Sequence, residues 1–187
     1  MTAVVNRLRG LAVGAVIGDA LGMPLEFQPA RSVFELVTEM IPGNLPAGSF
    51  TDDTEMALAL AESLQYADPL DGHDLAGRFV AWYQCHPPDV GVNTSRVLRL
   101  ITQGTPWQEA AETVYQANPD NASNGAVMRC WPLAIARHDN EALLVAETRL
   151  QSEVTHMHPD AVNGAILVNL ILRKLLLRQA STPPGAA

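Results

Sequence analysis

The stretch Thr51-Asp52-Asp53-Thr54 runs directly into Glu55-Met56-Ala57-Leu58-Ala59-Leu60-Ala61. A helix that is apolar on nearly every side belongs inside a protein. Its N-terminal mouth then carries two adjacent carboxylates toward the interior. A helix N-terminus favours a nearby anion by ~0.3–1 kcal/mol. Two like charges ~4 Å apart repel by roughly 4 kcal/mol at an effective dielectric of 20. The dipole alone does not offset two aspartates that converge. A hard divalent cation would, and hydroxyl and carboxylate oxygens suit Mg²⁺ or Ca²⁺ rather than zinc. The other reading is a plain cap, with Thr51 as N-cap and the acids on the first turn. The two readings are compatible.

The rest of the chain reads as helices separated by turn signals. Helical spacing covers 4–21, where Asp19 continues the apolar face of Val5, Leu8, Leu11, Ala12, Ala15 and Val16. A carboxylate on that face is either paired or lines a site. Gly10, Gly14, Gly18 and Gly22 recur every fourth residue on this segment, which reads as a face for close helix packing. Glu26 follows in a Met-Pro-Leu-Glu-Phe loop between apolar neighbours, either as a surface acid or as a site residue. Ser32 can cap a short helix to residue 40. Helices are predicted from 52 to about 66, over 74–84 and over 94–102. Thr105-Pro106-Trp107-Gln108 has the form of a helix start, with Thr105 as N-cap. A polar loop at 118–125 precedes a segment, 126–136, that Pro132 kinks or delays. Asp139 and Asp160 are placed as caps of helices reaching about 154 and 177. No alternating pattern suggests a strand. The prediction is an all-α, single-domain orthogonal multi-helix bundle over 1–178, with a flexible tail at 179–187.

At 187 residues and 48% hydrophobic, the chain can bury one ordinary core. A net charge of −8 argues against a nucleic-acid groove. Cys85 and Cys130 form no CxxC pattern, which fits a reducing compartment. Arg7 and Arg9 before the apolar 10–18 run resemble a leader. That run is short, rich in glycine and closed by Asp19, so it is expected neither to be cleaved nor to span a membrane. A cytoplasmic location is expected. His156 and His158 could form a metal pair, but no further zinc ligands are apparent, and a histidine bonded to backbone is the alternative. Asn124-Gly125 is either a turn or the start of a helix suited to a phosphate.

Several stretches in order resemble the ADP-ribosylglycohydrolase family, which includes the dinitrogenase reductase-activating glycohydrolases and the ADP-ribosylserine hydrolases. They are Gly18-Asp19-Ala20-Leu21-Gly22 with Pro24-Leu25-Glu26, Thr51-Asp52-Asp53-Thr54, and Asp89-Val90-Gly91. Asn124-Gly125-Ala126-Val127-Met128-Arg129 with Pro132, and Thr155-His156 with Asn163-Gly164-Ala165, complete the set. The resemblance implies an all-α cleft that binds ADP-ribose above two Mg²⁺ ions. It implies hydrolysis of the bond between ADP-ribose and a protein side chain or another leaving group. Glu26, Thr51, Asp52 and Asp53 match metal-site positions, and Glu26 and Asp53 match catalytic ones. Asp52, the loop Asn121-Ala122-Ser123-Asn124-Gly125 and His156 match substrate-binding positions.

The sequence departs from the family in two places. The family closes its metal site with a second Asp-x-Asp-Thr motif, and after Asp160 this chain has no Asp or Glu. Ser123 stands where the family usually has glycine. The chain is therefore expected to be shortened at its C-terminus and to carry about half the metal site, either as a shortened product or fragment or with the rest supplied by another chain. The implied partner is an ADP-ribosylated protein or small conjugate, with no nucleic acid and no membrane. The alternatives are an inactive ADP-ribose-binding module and a truncated helical fragment.

Overall fold

The computed structural model describes residues 3–32 and 34–178. The tail predicted at 179–187 lies outside the described residues. The described part is helical without strands, and its eight α-helices confirm the all-α class. They are α1 (Ala3–Gly22), α2 (Asp52–Tyr66), α3 (Gly72–Gln84), α4 (Val92–Thr102), α5 (Trp107–Ala117), α6 (Trp131–Ala136), α7 (Glu141–Glu153) and α8 (Pro159–Leu177). Two 3₁₀ turns, Met23–Leu25 and Asn124–Ala126, lie between them.

The interior is built around α2. Met56, Ala57 and Leu60 are completely buried, and Leu75 and Phe79 from α3 join them with Leu98, Leu133, Leu144 and Val154. The helix is not buried all round, because Leu58 faces out. Arg129 is also completely buried. Its guanidinium lies 4.4 Å from the centre of the Phe79 ring. It donates from Nε to Gln151 Oε1 at 3.0 Å and from Nη2 to Gln151 O and Thr155 Oγ1, both at 2.8 Å. Burial pushes this group down to about 9, and neutral oxygens together with the ring face carry the charge.

Helix starts differ from the sequence reading by a residue or two. Asn140 caps α7 by accepting from Leu143 N–H, in place of Asp139. His158 Nδ1 accepts from Asp160 N–H at the start of α8, so Asp160 is a first-turn acid and not the cap. Pro106 occupies the N-cap position of α5, and no side chain caps it, so Thr105 has no such role. Pro132 delays its helix, and α6 begins only at Trp131. The helix expected over 32–40 is absent among the described residues. Ser32 does donate from N–H to the Glu35 carboxylate, one half of a capping box, but its hydroxyl donates there too and leaves Glu35 N–H to the Ser32 carbonyl. Phe34 and Leu36 behind it are exposed, so no apolar stripe holds a helix down.

α1 packs on α2, α6 and α8. Arg7 Nε donates to Leu176 O at 2.6 Å. The glycine stripe is not a packing face among the described residues, because a Cβ at Gly10, Gly14, Gly18 or Gly22 would meet nothing within 4 Å. Val13 and Ile17 on α1, and Leu167, Ile171 and Leu175 on α8, are likewise exposed. The helical segment Ala3–Leu25 is long and apolar enough to cross a membrane by length and composition. The expectation of too short an apolar run counted only 10–18, whereas the helix continues on both sides. Here that segment is fixed to α2 through Asp19.

Candidate functional site

The start of α2 is held from outside the helix. Thr51 occupies the N-cap position, yet its side chain makes no capping bond. The Asp19 carboxylate caps the helix instead. It accepts from Thr51 N–H at 3.1 Å, Thr51 Oγ1 at 2.9 Å and Thr54 N–H at 3.1 Å, and also from Thr54 Oγ1. Asp19 is thus the paired carboxylate of the two readings open from sequence. Thr51 is buried by this arrangement, and its hydroxyl proton is directed at Asp19.

Asp52 and Asp53, the next two residues, line a cavity of about 390 Å³. Glu26 and Asp89 line the same cavity. Glu26 lies beyond the Met23–Leu25 turn, where Phe27 adopts φ 60° and leaves its ring almost fully exposed. Such a backbone is costly for a bulky residue and recurs at functional sites. The four acids feel one another. Burial, then Asp53 and Asp89, push Asp52 up to about 7. Burial, then Asp19 and Glu26, push Asp53 up to about 6. Burial, then Asp89, push Glu26 up to about 6.

The second group in the cavity is uncharged. Asn121, Ser123, Asn124, Gly125 and His156 line it. Ala122 is exposed and does not line it. Asn121 Nδ2 donates to Asn93 Oδ1 at 3.2 Å, and Asn93 Nδ2 donates to Ser123 Oγ at 3.3 Å. Asn124–Ala126 is a three-residue 3₁₀ turn that stops before α6, not the start of a long helix. Gly125 has a steric reason: a Cβ there would sit 2.5 Å from His156 Cε1. The His156 ring is buried and bonded on both nitrogens, to Thr155 Oγ1 at 2.7 Å and Ser123 Oγ at 2.9 Å. His158 instead caps α8 and meets the Tyr115 ring edge-on. The two histidines serve separate structures and do not form a metal pair.

Glu26, Asp52, Asp53, Asn121, Ser123, Asn124, Gly125 and His156 therefore share one cavity. Asp89 was legible only as part of a motif. Its signal was an acid between Pro87-Pro88 and Gly91, on a loop whose Gly91 N–H reaches Asp52 at 3.4 Å. The all-oxygen donor set suits a hard divalent cation in kind and in charge. Among the described residues, no three His, Cys, Asp or Glu side chains are drawn tightly enough together to hold a metal by themselves.

The family model for ADP-ribosylglycohydrolase matches residues 1–186. The chain is 36% identical over 162 residues to the ADP-ribosyl-[dinitrogen reductase] glycohydrolase of Rhodospirillum rubrum, covering 82% of this chain and 52% of that one. It is 34% identical over 171 residues to the ADP-ribosylarginine hydrolase Tri1 of Pseudomonas putida strain GB-1, covering 84% and 43%. A solved structure described as an ADP-ribosylglycohydrolase-related protein complex superposes with a TM-score of 0.73 at 33% identity, covering 91% of this chain and 56% of that one. The chain spans about half the length of the curated relatives it matches. With nearly every residue inside the family model and the motifs gathered at one cavity, this chain belongs to the ADP-ribosylglycohydrolase family.

Proposed function

We propose that the chain supplies the acid-bearing part of a Mg²⁺-dependent hydrolase. The bond cleaved joins the anomeric carbon of ADP-ribose to a protein side chain or another leaving group. The observation that carries this reading is the joining of two groups in one cavity: Glu26, Asp52, Asp53 and Asp89 with Asn121, Ser123, Asn124, Gly125 and His156. Relatives named for hydrolysis of ADP-ribosyl dinitrogen reductase and ADP-ribosylarginine support it.

Glycosidic cleavage passes through an oxocarbenium-like transition state and needs a carboxylate to stabilise it and to take a proton from water. Glu26 is the candidate base by its place in the cavity; without a cation, burial and Asp89 push it up to about 6, and a bound cation would lower it. Asp53, also held at about 6, is the second catalytic candidate. Asp52, Asp53 and Glu26 would hold Mg²⁺ from the cavity, and Thr51, which is buried behind it, would add the lone pair that its hydroxyl keeps while donating to Asp19. When bound, that ion would neutralise the carboxylates, orient ribose hydroxyls and acidify a water. Asp52 also faces the sugar, while the 121–125 loop and His156 serve the diphosphate and adenosine side. Further ligands would come from outside residues 1–187.

The test is release of ADP-ribose from an ADP-ribosylated protein with Mg²⁺, using Asp52→Asn as control. Turnover by the wild type that the variant loses supports the assignment. Equal turnover by both places the activity outside this site. The absence of a tight three-acid group favours a second reading, an inactive ADP-ribose-binding module. Heat of ADP-ribose binding without turnover selects that reading. No heat at millimolar ADP-ribose removes both.

A further inference from the structure

A chain of hydrogen bonds leads from the buried cation Arg129 to the cavity. Arg129 Nη2 donates to Thr155 Oγ1, which pairs with His156 Nδ1, and His156 Nε2 pairs with Ser123 Oγ. Proton bookkeeping decides its direction. If Nδ1 carried the imidazole proton, Thr155 Oγ1 would accept from both Arg129 and His156. Its own proton would then have no acceptor among the described residues, at a site 2% exposed. A buried donor left unmade is costly. If Thr155 donates to Nδ1, the Thr155 hydroxyl and both ring nitrogens are satisfied and Nε2 carries the proton. Ser123 Oγ then accepts from His156 Nε2 and from Asn93 Nδ2. The Ser123 hydroxyl proton is then left without an acceptor among the described residues, and it lies at the cavity.

We infer that Arg129 and Thr155, acting through His156, are positioning residues that fix the hydroxyl of Ser123, already placed in the substrate loop, as a donor to an anionic oxygen. Each bond in the chain points away from a buried positive charge, so the terminal O–H is polarised toward a negative acceptor. His156 lines the cavity beside Ser123 and sets the direction of that hydroxyl through the bond at Nε2. Its ring is neutral, because burial and Arg129 hold it down to about 3. This inference rests on the ADP-ribose reading for the identity of the acceptor, a phosphate oxygen, but not for the direction of the chain.

Two measurements on the intact chain separate these points. Nitrogen-15 NMR of the histidines in ligand-free protein reports the tautomer. A pyrrole-type Nε2 and pyridine-type Nδ1 are expected for His156, with loss of that fixed pattern in Thr155→Val. An Nδ1-protonated ring in the wild type overturns the relay. Calorimetry with ADP-ribose then compares Ser123→Ala and Ser123→Thr. Ser123→Ala is expected to weaken binding about tenfold or more, and Ser123→Thr, which keeps the hydroxyl, to stay within about threefold of wild type. Equal affinity of Ser123→Ala and wild type overturns the donor role. Absence of wild-type binding, with the expected tautomer present, overturns the ligand assignment and with it the ADP-ribose reading.

Discussion

Asp19 on α1 accepts both the backbone N–H and the hydroxyl of Thr54, thirty-five positions later in the chain. With the matching pair from Thr51 it satisfies donors at the start of α2 that a local cap would ordinarily take. The orientation of Asp52 and Asp53 toward the cavity therefore depends on a residue in another helix. This also explains why Thr51 can be buried at an N-cap position without capping.

Replacing Asp19 by alanine removes the acceptor for four donors. The expected loss is ~2–4 kcal/mol, since bonds to a charged acceptor are worth ~1.5–3 kcal/mol each and water replaces part of them. Asp19→Asn keeps one acceptor oxygen and should lose about half as much. Urea unfolding curves measure both. A loss no greater than a few tenths of a kcal/mol for Asp19→Ala would mean that α2 is held by its packing alone.

The acidic group makes the metal-free chain sensitive to pH. Glu26, Asp52 and Asp53 are all held above their ordinary values, near 6, 7 and 6. The folded chain thus binds protons that the unfolded chain has released between about pH 4 and pH 7. Stability from this group is largest below that window and falls as pH rises through it. Thermal unfolding without divalent ions should show a lower midpoint at pH 8 than at pH 5. Asp52→Asn should raise the pH 8 midpoint, by ~2–4 °C for each kcal/mol of repulsion relieved. Mg²⁺ should raise the wild-type midpoint at pH 8 and do so weakly at pH 5, where protons compete. A Mg²⁺ response of equal size in Asp52→Asn would place the ion elsewhere.

What could be read in advance follows from interaction range. Helices α2, α3, α4 and α8 were legible because their apolar spacing and their Pro and Gly boundaries are local. Caps were less so: Asp139 and Asn140 are adjacent and chemically alike, and only the backbone decides that Asn140 faces Leu143 N–H. Ser32 N–H donates to the Glu35 carboxylate, one half of a capping box, yet no helix follows, because burial of Phe34 and Leu36 is what a helix there would have needed. The glycine spacing on α1 identified a face but not whether anything covers it. Asp52 and Asp53 were legible as paired acids at the mouth of an apolar helix, whereas the roles of Glu26 and of the whole 121–125 loop came through resemblance to a family pattern. The long-range roles of Asp19, Asp89 and Arg129 needed the fold.

Gly125 is a steric requirement of the site. A Cβ there would lie 2.5 Å from His156 Cε1 and 2.7 Å from Nε2, and Thr94 Oγ1 is also close at 3.3 Å. The ring is locked by bonds at both nitrogens and cannot swing away without breaking them. Gly125→Ala should cost ~1–3 kcal/mol of stability through overpacking. ADP-ribose affinity should fall by a further factor of about ten as Ser123 is displaced. Gly164→Ala is a control, because its Cβ would make an ordinary 3.5 Å contact with Val127. Equal behaviour of the two variants in urea unfolding would show that His156 relaxes freely.

Arg129→Lys tests whether the buried charge or the guanidinium's shape matters. Both side chains carry one positive charge, but an ammonium cannot reach Gln151 Oε1, Gln151 O and Thr155 Oγ1 from three directions while lying flat on Phe79. At least one of those acceptors loses its donor in an interior without water, at ~1–3 kcal/mol each. The lysine, more strongly hydrated in the unfolded state, also loses more on burial. A total loss of roughly 3–5 kcal/mol is expected, close to that for removing one member of a buried charged network. Arg129→Met abolishes the charge and keeps contact with Met56 and Phe79, so it should cost less than lysine if desolvation dominates. Unfolding free energies of the two variants decide this. A lysine variant more stable than the methionine variant would mean that the positive charge itself, felt by Asp52 across the core, outweighs the fit of the guanidinium.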